Sequence, residues 1–198
     1  MTQLIVFNGP KGSGKDLAAT ILQQYLGSDE VSLCSFKKTL VEMALKLSGL
    51  SQYQWDAIYT RELKDQADWR LRVQDIAVSP RRYLIWISEE VMKPIFGKLF
   101  FGEQAVKQIE VDKINAFSDS GFKEELWAVI DGTPDEWNYN EVEVVVVRLF
   151  REGCTYENDS RSYLQPQDFE GYNVRFVDVV NDTIEQFAKD ITLIAQTL

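Results

Sequence analysis

Apolar positions along this chain follow two alternating rhythms. Leu4 to Phe7 is an unbroken apolar run stopped by Asn8-Gly9, the pattern of a parallel strand buried on both faces and followed by a turn. From Lys15 to Leu26, apolar residues at Leu17, Ala18, Ile21, Leu22 and Tyr25 recur at helical spacing and stop at Gly27. The alternation returns as a strand over Val31 to Phe36 and a helix over Lys38 to Leu47 that closes near Ser48-Gly49. Residues 50 to 80 mix charge and aromatics without one period, which predicts short helices and loops over a cleft. Tyr83, Leu84, Ile87 and Val91 mark a helix over Arg81 to Phe96, and Phe100 to Ile109 predicts another. Val111 to Phe117 reads as a strand feeding the turn Ser118-Asp119-Ser120-Gly121, with a helix over Lys123 to Ile130 behind it.

After a turn-rich stretch from Asp131 to Asn140, the Val-rich run Val142 to Leu149 predicts a central strand buried on both faces. Residues 151 to 173 are polar, with Gly, Asn, Pro and charges of both signs, as in a loop that closes over a ligand. A strand over Val174 to Val180, a cap at Asn181-Asp182 and a helix from Thr183 to about Ala195 end the pattern. Strands alternating with helices predict an α/β fold with a mostly parallel, doubly wound sheet. At 198 residues the chain fits one domain, 1–198.

Composition removes several chemistries. There is no histidine, so Ser-His-Asp, Cys-His and zinc hydrolase mechanisms are excluded. A net charge of −10 argues against a nucleic-acid polymer as partner, while leaving room for a few cations gathered in one cleft. The two cysteines, Cys34 and Cys154, lie far apart, which fits a reducing compartment and gives no metal framework. No basic, apolar leader and no run of about eighteen apolar residues is readable, so the expectation is a cytoplasmic protein with no membrane partner.

The chemistry is carried by Gly9-Pro10-Lys11-Gly12-Ser13-Gly14-Lys15-Asp16, set between the first strand and the first helix. It matches G-x-x-x-x-G-K with Asp where Ser or Thr is usual. Glycines let successive backbone N–H groups of Gly9, Lys11, Gly12, Ser13 and Gly14 converge, and the helix N-terminus adds its positive end, so the turn can wrap phosphate oxygens. Lys15 would bridge the β- and γ-phosphates of a nucleotide. Asp16 would bind Mg²⁺ directly or through water, and Asp119 is the candidate partner for the metal. The bland alternatives are a surface turn for the loop and a helix cap for Asp119.

The chain resembles the bacteriophage-type deoxynucleoside monophosphate kinases, whose P-loop also runs G-K-D. The likeness is patchy and spans Leu4 to about Ile191. It includes Ser35-Phe36-Lys37-Lys38-Thr39-Leu40, Arg61-Glu62-Leu63-Lys64, Ser79-Pro80-Arg81-Arg82-Tyr83-Leu84, Arg148, Asn158-Asp159-Ser160 and Asn181-Asp182-Thr183-Ile184-Glu185. The resemblance implies a P-loop NTP hydrolase-like three-layer sandwich with an acceptor-binding segment over about 37–100 and a lid over about 151–173. It implies ATP and Mg²⁺ as cofactors, a deoxynucleoside monophosphate held by Lys38, Arg61, Arg81 or Arg82, Asn181 beside the nucleotide base, and a homodimer. It also implies a role in DNA precursor supply, in a host cytoplasm if the chain is phage-encoded.

Two positions depart from the family. Gly121 stands where Asp-x-Arg would put an arginine after Asp119, and Arg161 stands where His often follows Asp-Ser in the lid. Arg148, Arg151 and Arg161 are the candidates to restore the lost catalytic charge. Aromatics between 50 and 101, among them Trp55, Tyr59, Trp69 and Phe101, could stack on the acceptor base or serve as core and dimer interface. Two readings stay open: a kinase for another phosphorylated acceptor, similar to phosphomevalonate kinase, and a nucleotide-binding module without catalysis.

Overall fold

The computed structural model describes residues 3–132, 143–157 and 159–198. Among these, β1 (Gln3–Asn8), β2 (Val31–Cys34), β5 (Ile114–Ser120), β6 (Glu143–Phe150) and β7 (Val174–Val180) form one sheet in the order β2-β5-β1-β6-β7, every pair parallel. β1 is buried along its length, and its side chains alternate between the two faces as the pleat requires. Ile5 and Phe7 pack on α1 (Lys15–Leu26) and α8 (Ile184–Ala195) through Ala18, Leu22, Phe187 and Ile191. Leu4 and Val6 pack on the other face against α6 (Phe100–Val106) and α7 (Lys123–Asp131) through Ala105, Leu126 and Val129. The result is a three-layer α/β sandwich. No described helix is long and apolar enough to cross a membrane.

This topology positions a crevice. The exit of β1 enters α1 on one face, whereas the exit of its neighbour β5 enters α7 on the opposite face. Connections that diverge at adjacent strand ends leave a groove at their carboxyl edge, where ligands of open α/β sheets bind.

A third apolar cluster joins α2 (Lys38–Ser48), α3 (Gln52–Ile58), β3 (Asp68–Val73) and α4 (Pro80–Ile85) through Ala44, Trp55, Ile58, Leu71, Tyr83 and Leu84. It makes residues 38–85 a packed unit in which Trp55 and Tyr83 are core, while Trp69 is 77 % exposed. The helix of α4 continues through a π-helical stretch, Trp86–Met92, into α5 (Lys93–Phe96).

Several boundaries differ from the sequence reading, among them the start of β5 at Ile114 instead of Val111 and the end of α6 at Val106 instead of Ile109. Residues 68–78, expected as loop, form an antiparallel hairpin of β3 and β4 (Ile76–Val78), turned by Gln74 and Asp75 at φ 49° and 65° without a glycine. β2 ends at Cys34 rather than Phe36, because Gln108 captures the Ser35 N–H and Asp119 those of Phe36 and Lys37. β5 runs to Ser120, so Asp119 and Ser120 are strand residues and not the turn after it. The cap of α8 is Thr183, whose hydroxyl accepts from the Gln186 N–H, in place of Asn181-Asp182. Most of the turn-rich stretch before β6, including Pro134, Asn138 and Asn140, lies outside the described residues, as do Val142 and Asn158.

Candidate active site

The loop from Gly9 to Lys15 sits at the carboxyl end of β1 and opens into the crevice. Gly12 and Gly14 hold φ of 87° and 104°, and a Cβ at Gly14 would lie 2.6 Å from the Asn181 amide nitrogen. Only glycine fits that conformation without strain. Asn181 is buried and donates its side-chain N–H to Ser13 O at 2.9 Å, so it braces the loop from behind. Arg151, just past β6, donates to Gly12 O at 3.0 Å. Lys15 Nζ donates to Gly9 O and, at 2.8 Å, to Pro10 O. Burial, followed by the nearby Arg161 charge, lowers its pKa from 10.5 to about 8.

Beside the loop, Ser118 donates to Asp16 Oδ1 at 2.9 Å. Asp119, 6 % exposed, accepts from Ser35 Oγ at 2.7 Å, Phe36 N at 2.9 Å and Lys37 N at 3.0 Å. It therefore organises the turn between β2 and α2. Carboxylate and hydroxyl oxygens are the hard donors that Mg²⁺ takes, and Mg²⁺ keeps waters and phosphate oxygens beside one or two protein ligands. Asp16 with Ser118 fits that pattern. Asp119, already bearing three donors, fits as a partner of the ion's waters. Among the described residues no three or more His, Cys, Asp or Glu side chains gather to cage a metal by themselves.

Across the crevice stand Lys37, Lys64 and Arg81, which line it together with Lys11, Lys15 and Arg161. Six cations thus converge in one cleft of a chain whose net charge is −10. Asp65 ties both walls, accepting from Lys11 at 2.9 Å and from Arg81. Lys38, Arg61 and Arg82 are exposed and absent from the lining, Arg82 pairing with Glu90 at 2.6 Å. Lys37 and Lys64, each close in sequence to a residue singled out above, occupy the positions facing the cleft. Their direction depends on the start of α2 and on the turn before β3, neither of which periodicity resolves to one residue.

The three candidate arginines separate. Arg148 makes a bidentate pair with Asp178 on β7, at 2.6 and 2.9 Å, outside the cleft. Replacing it with Gln should cost about 1 kcal/mol of stability and leave turnover within about twofold, as for a partly exposed ion pair; urea denaturation and steady-state assay check both. Arg151 holds the loop backbone. Arg161 alone of the three lines the cleft, oriented by Asp159 through bonds of 2.9 and 2.6 Å. Its aliphatic stem fills the space above Gly121, where a Cβ would meet Arg161 Cβ, Cγ and Cδ at 2.6–2.7 Å.

Sequence reasoning missed Asn8. Buried at the end of β1, it donates to Ser120 O, Tyr156 Oη and Ser162 O at 3.2–3.3 Å and accepts from Leu164 N at 2.9 Å. One amide thus roots the segment holding Tyr156, Ser162 and Leu164 on the sheet beside the loop. A polar residue ending an apolar strand was the available signal.

Away from the loop the cleft turns apolar, with Phe36, Leu40, Leu84, Phe101 and Phe122, and also holds Glu125. Glu125 is 7 % exposed, and its pKa rises from 4.5 to about 8, chiefly through burial. Lys93 and Arg161 oppose that rise, while Asp119 and Glu89 add to it. A folded-state pKa above the unfolded value gives stability below the unfolded pKa that is lost as pH climbs toward the folded one. Glu125→Gln should therefore gain stability over the parent with a slope of up to about 1.4 kcal/mol per pH unit across that window. Guanidinium denaturation between about pH 5 and pH 8 reads it, and a difference independent of pH would refute it.

No protein family matches this chain, and no curated protein matches it by sequence. Among solved structures, a protein of Chloroflexus aurantiacus described as a "putative kinase" aligns with TM-score 0.49 and 15 % identity, over 99 % of this chain and 93 % of its own. The protein APE1195 aligns with TM-score 0.44 and 16 % identity, over 100 % of this chain and 96 % of its own.

Proposed function

We propose that this chain is a kinase that transfers the γ-phosphoryl group of ATP to the phosphate of a small acceptor, a deoxynucleoside monophosphate. One observation carries the reading: the phosphate-binding loop with Lys15 and a second set of cations, Lys37, Lys64 and Arg81, open on the same cleft with Arg161 in it. A nucleotide-binding module without catalysis needs only the first of these.

In the reaction an oxygen of the acceptor phosphate forms a bond to the γ-phosphorus as the bond to the β–γ bridging oxygen breaks and ADP leaves. The attacking oxygen is already anionic, so no general base is required and positioning carries most of the rate. Lys15 and Arg161 offset the charge on the moving group. The acceptor phosphate meets Arg81, Lys64 and Lys37, which releases Asp65 from its pairing with Arg81. Mg²⁺, held by Asp16 with Ser118, would supply further charge neutralisation at the phosphates.

The test is ADP release from ATP and Mg²⁺ with each deoxy- and ribonucleoside monophosphate, and with non-nucleotide phosphorylated acceptors in parallel. Conversion of one or more deoxynucleoside monophosphates to diphosphates supports the reading. Turnover confined to a non-nucleotide acceptor, or ATP binding with no turnover, overturns it.

A further inference from the structure

Arg161 reaches the cleft from a backbone that is pinned to the carboxyl ends of three strands. Ser162, the next residue, donates its N–H to Gly121 O just past β5 at 3.2 Å, and its carbonyl accepts from Asn8 Nδ2 on β1 at 3.2 Å. Tyr163 donates its hydroxyl to Leu149 O on β6 at 3.0 Å and stacks on Phe150 with ring centroids 4.6 Å apart. Leu164 donates its N–H to Asn8 Oδ1 at 2.9 Å and buries its side chain in the core.

Asn8 bonds two of these three residues. It is fully buried, and the preceding residues on its face of β1, Leu4 and Val6, are apolar packing. A strand end built only for packing would carry a third aliphatic side chain. The amide instead pairs backbone groups of Ser120, Ser162 and Leu164 that would otherwise be buried without these partners. Asp159 sets the direction of the Arg161 guanidinium through its two bonds; the bonds of Asn8 set where the Arg161 backbone stands.

We propose that Asn8 is the positioning residue for Arg161, fixing its backbone so that the guanidinium stands in the cleft before any nucleotide binds, instead of being carried in by closure of a lid. The inference rests on the kinase reading above and deepens it. Such precision matters because a misplacement of about 1 Å can cost about 10²-fold in rate. A group rooted on strand ends also holds its geometry better than one on a free loop.

Amide hydrogen exchange of the nucleotide-free protein should find the Ser162 and Leu164 N–H groups protected by about 10³-fold or more over an open chain, with ATP adding less than about tenfold. Steady-state kinetics then compare the parent, Asn8→Ser, Arg161→Ala and the double variant, each checked by thermal melting. Asn8→Ser should lower kcat by about tenfold or more and leave the KM for ATP within about threefold. In the Arg161→Ala background the same change should lower kcat by less than about twofold, because the guanidinium it misplaces is already gone. A merely structural loss would be equal in both backgrounds.

Exchange at Leu164 as fast as in an open chain, or protection that arises only with ATP, overturns the inference even where the Asn8 variant does not fold. So does a kcat loss from Asn8→Ser that is equal in both backgrounds. Protected amides with no turnover on any acceptor overturn the kinase reading and leave the placement of Arg161 standing; no turnover with unprotected amides overturns both.

Discussion

Lys15→Met should lower turnover by about a thousandfold or more while the protein stays folded. Nζ is the only charged group within the phosphate-binding loop that is largely withdrawn from solvent, bonded to the Gly9 and Pro10 carbonyls. Those carbonyls hold the ammonium in the cleft that Arg161 also lines, where the proposed γ-phosphate would meet both. At about 8, its pKa leaves it mostly charged at neutral pH, and a bound polyanion would raise it again. Charge placed in advance at a water-poor site is worth about 10²–10³ per donor removed, and more for a full cation facing a transferring phosphoryl group.

Met keeps the aliphatic stem, so the stability loss is confined to two hydrogen bonds, about 1 kcal/mol each. Single-turnover ADP formation and thermal melting separate the two effects. Turnover within about tenfold of the parent would show that phosphoryl transfer does not depend on this ammonium.

How much of this could be read from the residues depended on how local the cause was. The limits of α1 and β7 were legible to the residue, because Gly14 and Gly27 bracket the helix and the polar Asn173 and Asn181 bracket the Val-rich strand. The hairpin was legible in Asp68 to Val73, where charged and apolar residues alternate at period two, but its turn at Gln74 and Asp75 lacks the usual glycine and a bulge between Asp68 and Arg72 breaks the register.

Direction within a helix was the next loss. A shift of one residue turns a side chain by about 100°, which separates Lys37 in the cleft from Lys38 outside it. Glu125 was readable in principle, since Ala128 and Val129 stand three and four positions on along the same buried helix face. What no local pattern carries is convergence: Asn8 meets Tyr156, Ser162 and Leu164, and Arg161 meets Gly121, only once the whole chain is folded.

That last convergence yields the second large effect. Gly121 lacks the arginine that the resemblance leads one to expect after Asp119, yet the space its side chain would take is filled by the stem of Arg161. The guanidinium therefore enters the cleft from the lid segment instead of the strand end. Arg161→Ala should lower kcat by about 10²–10³ with a smaller change in ATP binding, since the charge acts where negative charge is redistributed during transfer.

Because the two positions compete for one volume, they should also couple. Gly121→Arg alone forces overlap with Arg161 and should destabilise by about 1–3 kcal/mol. In the Arg161→Ala background the Cγ and Cδ overlaps are gone and only the contact with the residue-161 Cβ at 2.7 Å is left for a small shift to relieve, so the same change should restore activity by about tenfold or more, an interaction energy that only neighbouring residues can have. A double mutant no better than Arg161→Ala, measured alongside a single Gly121→Arg variant that folds normally, would show that Arg161 acts by ordering the lid and that its charge is not what the transfer uses.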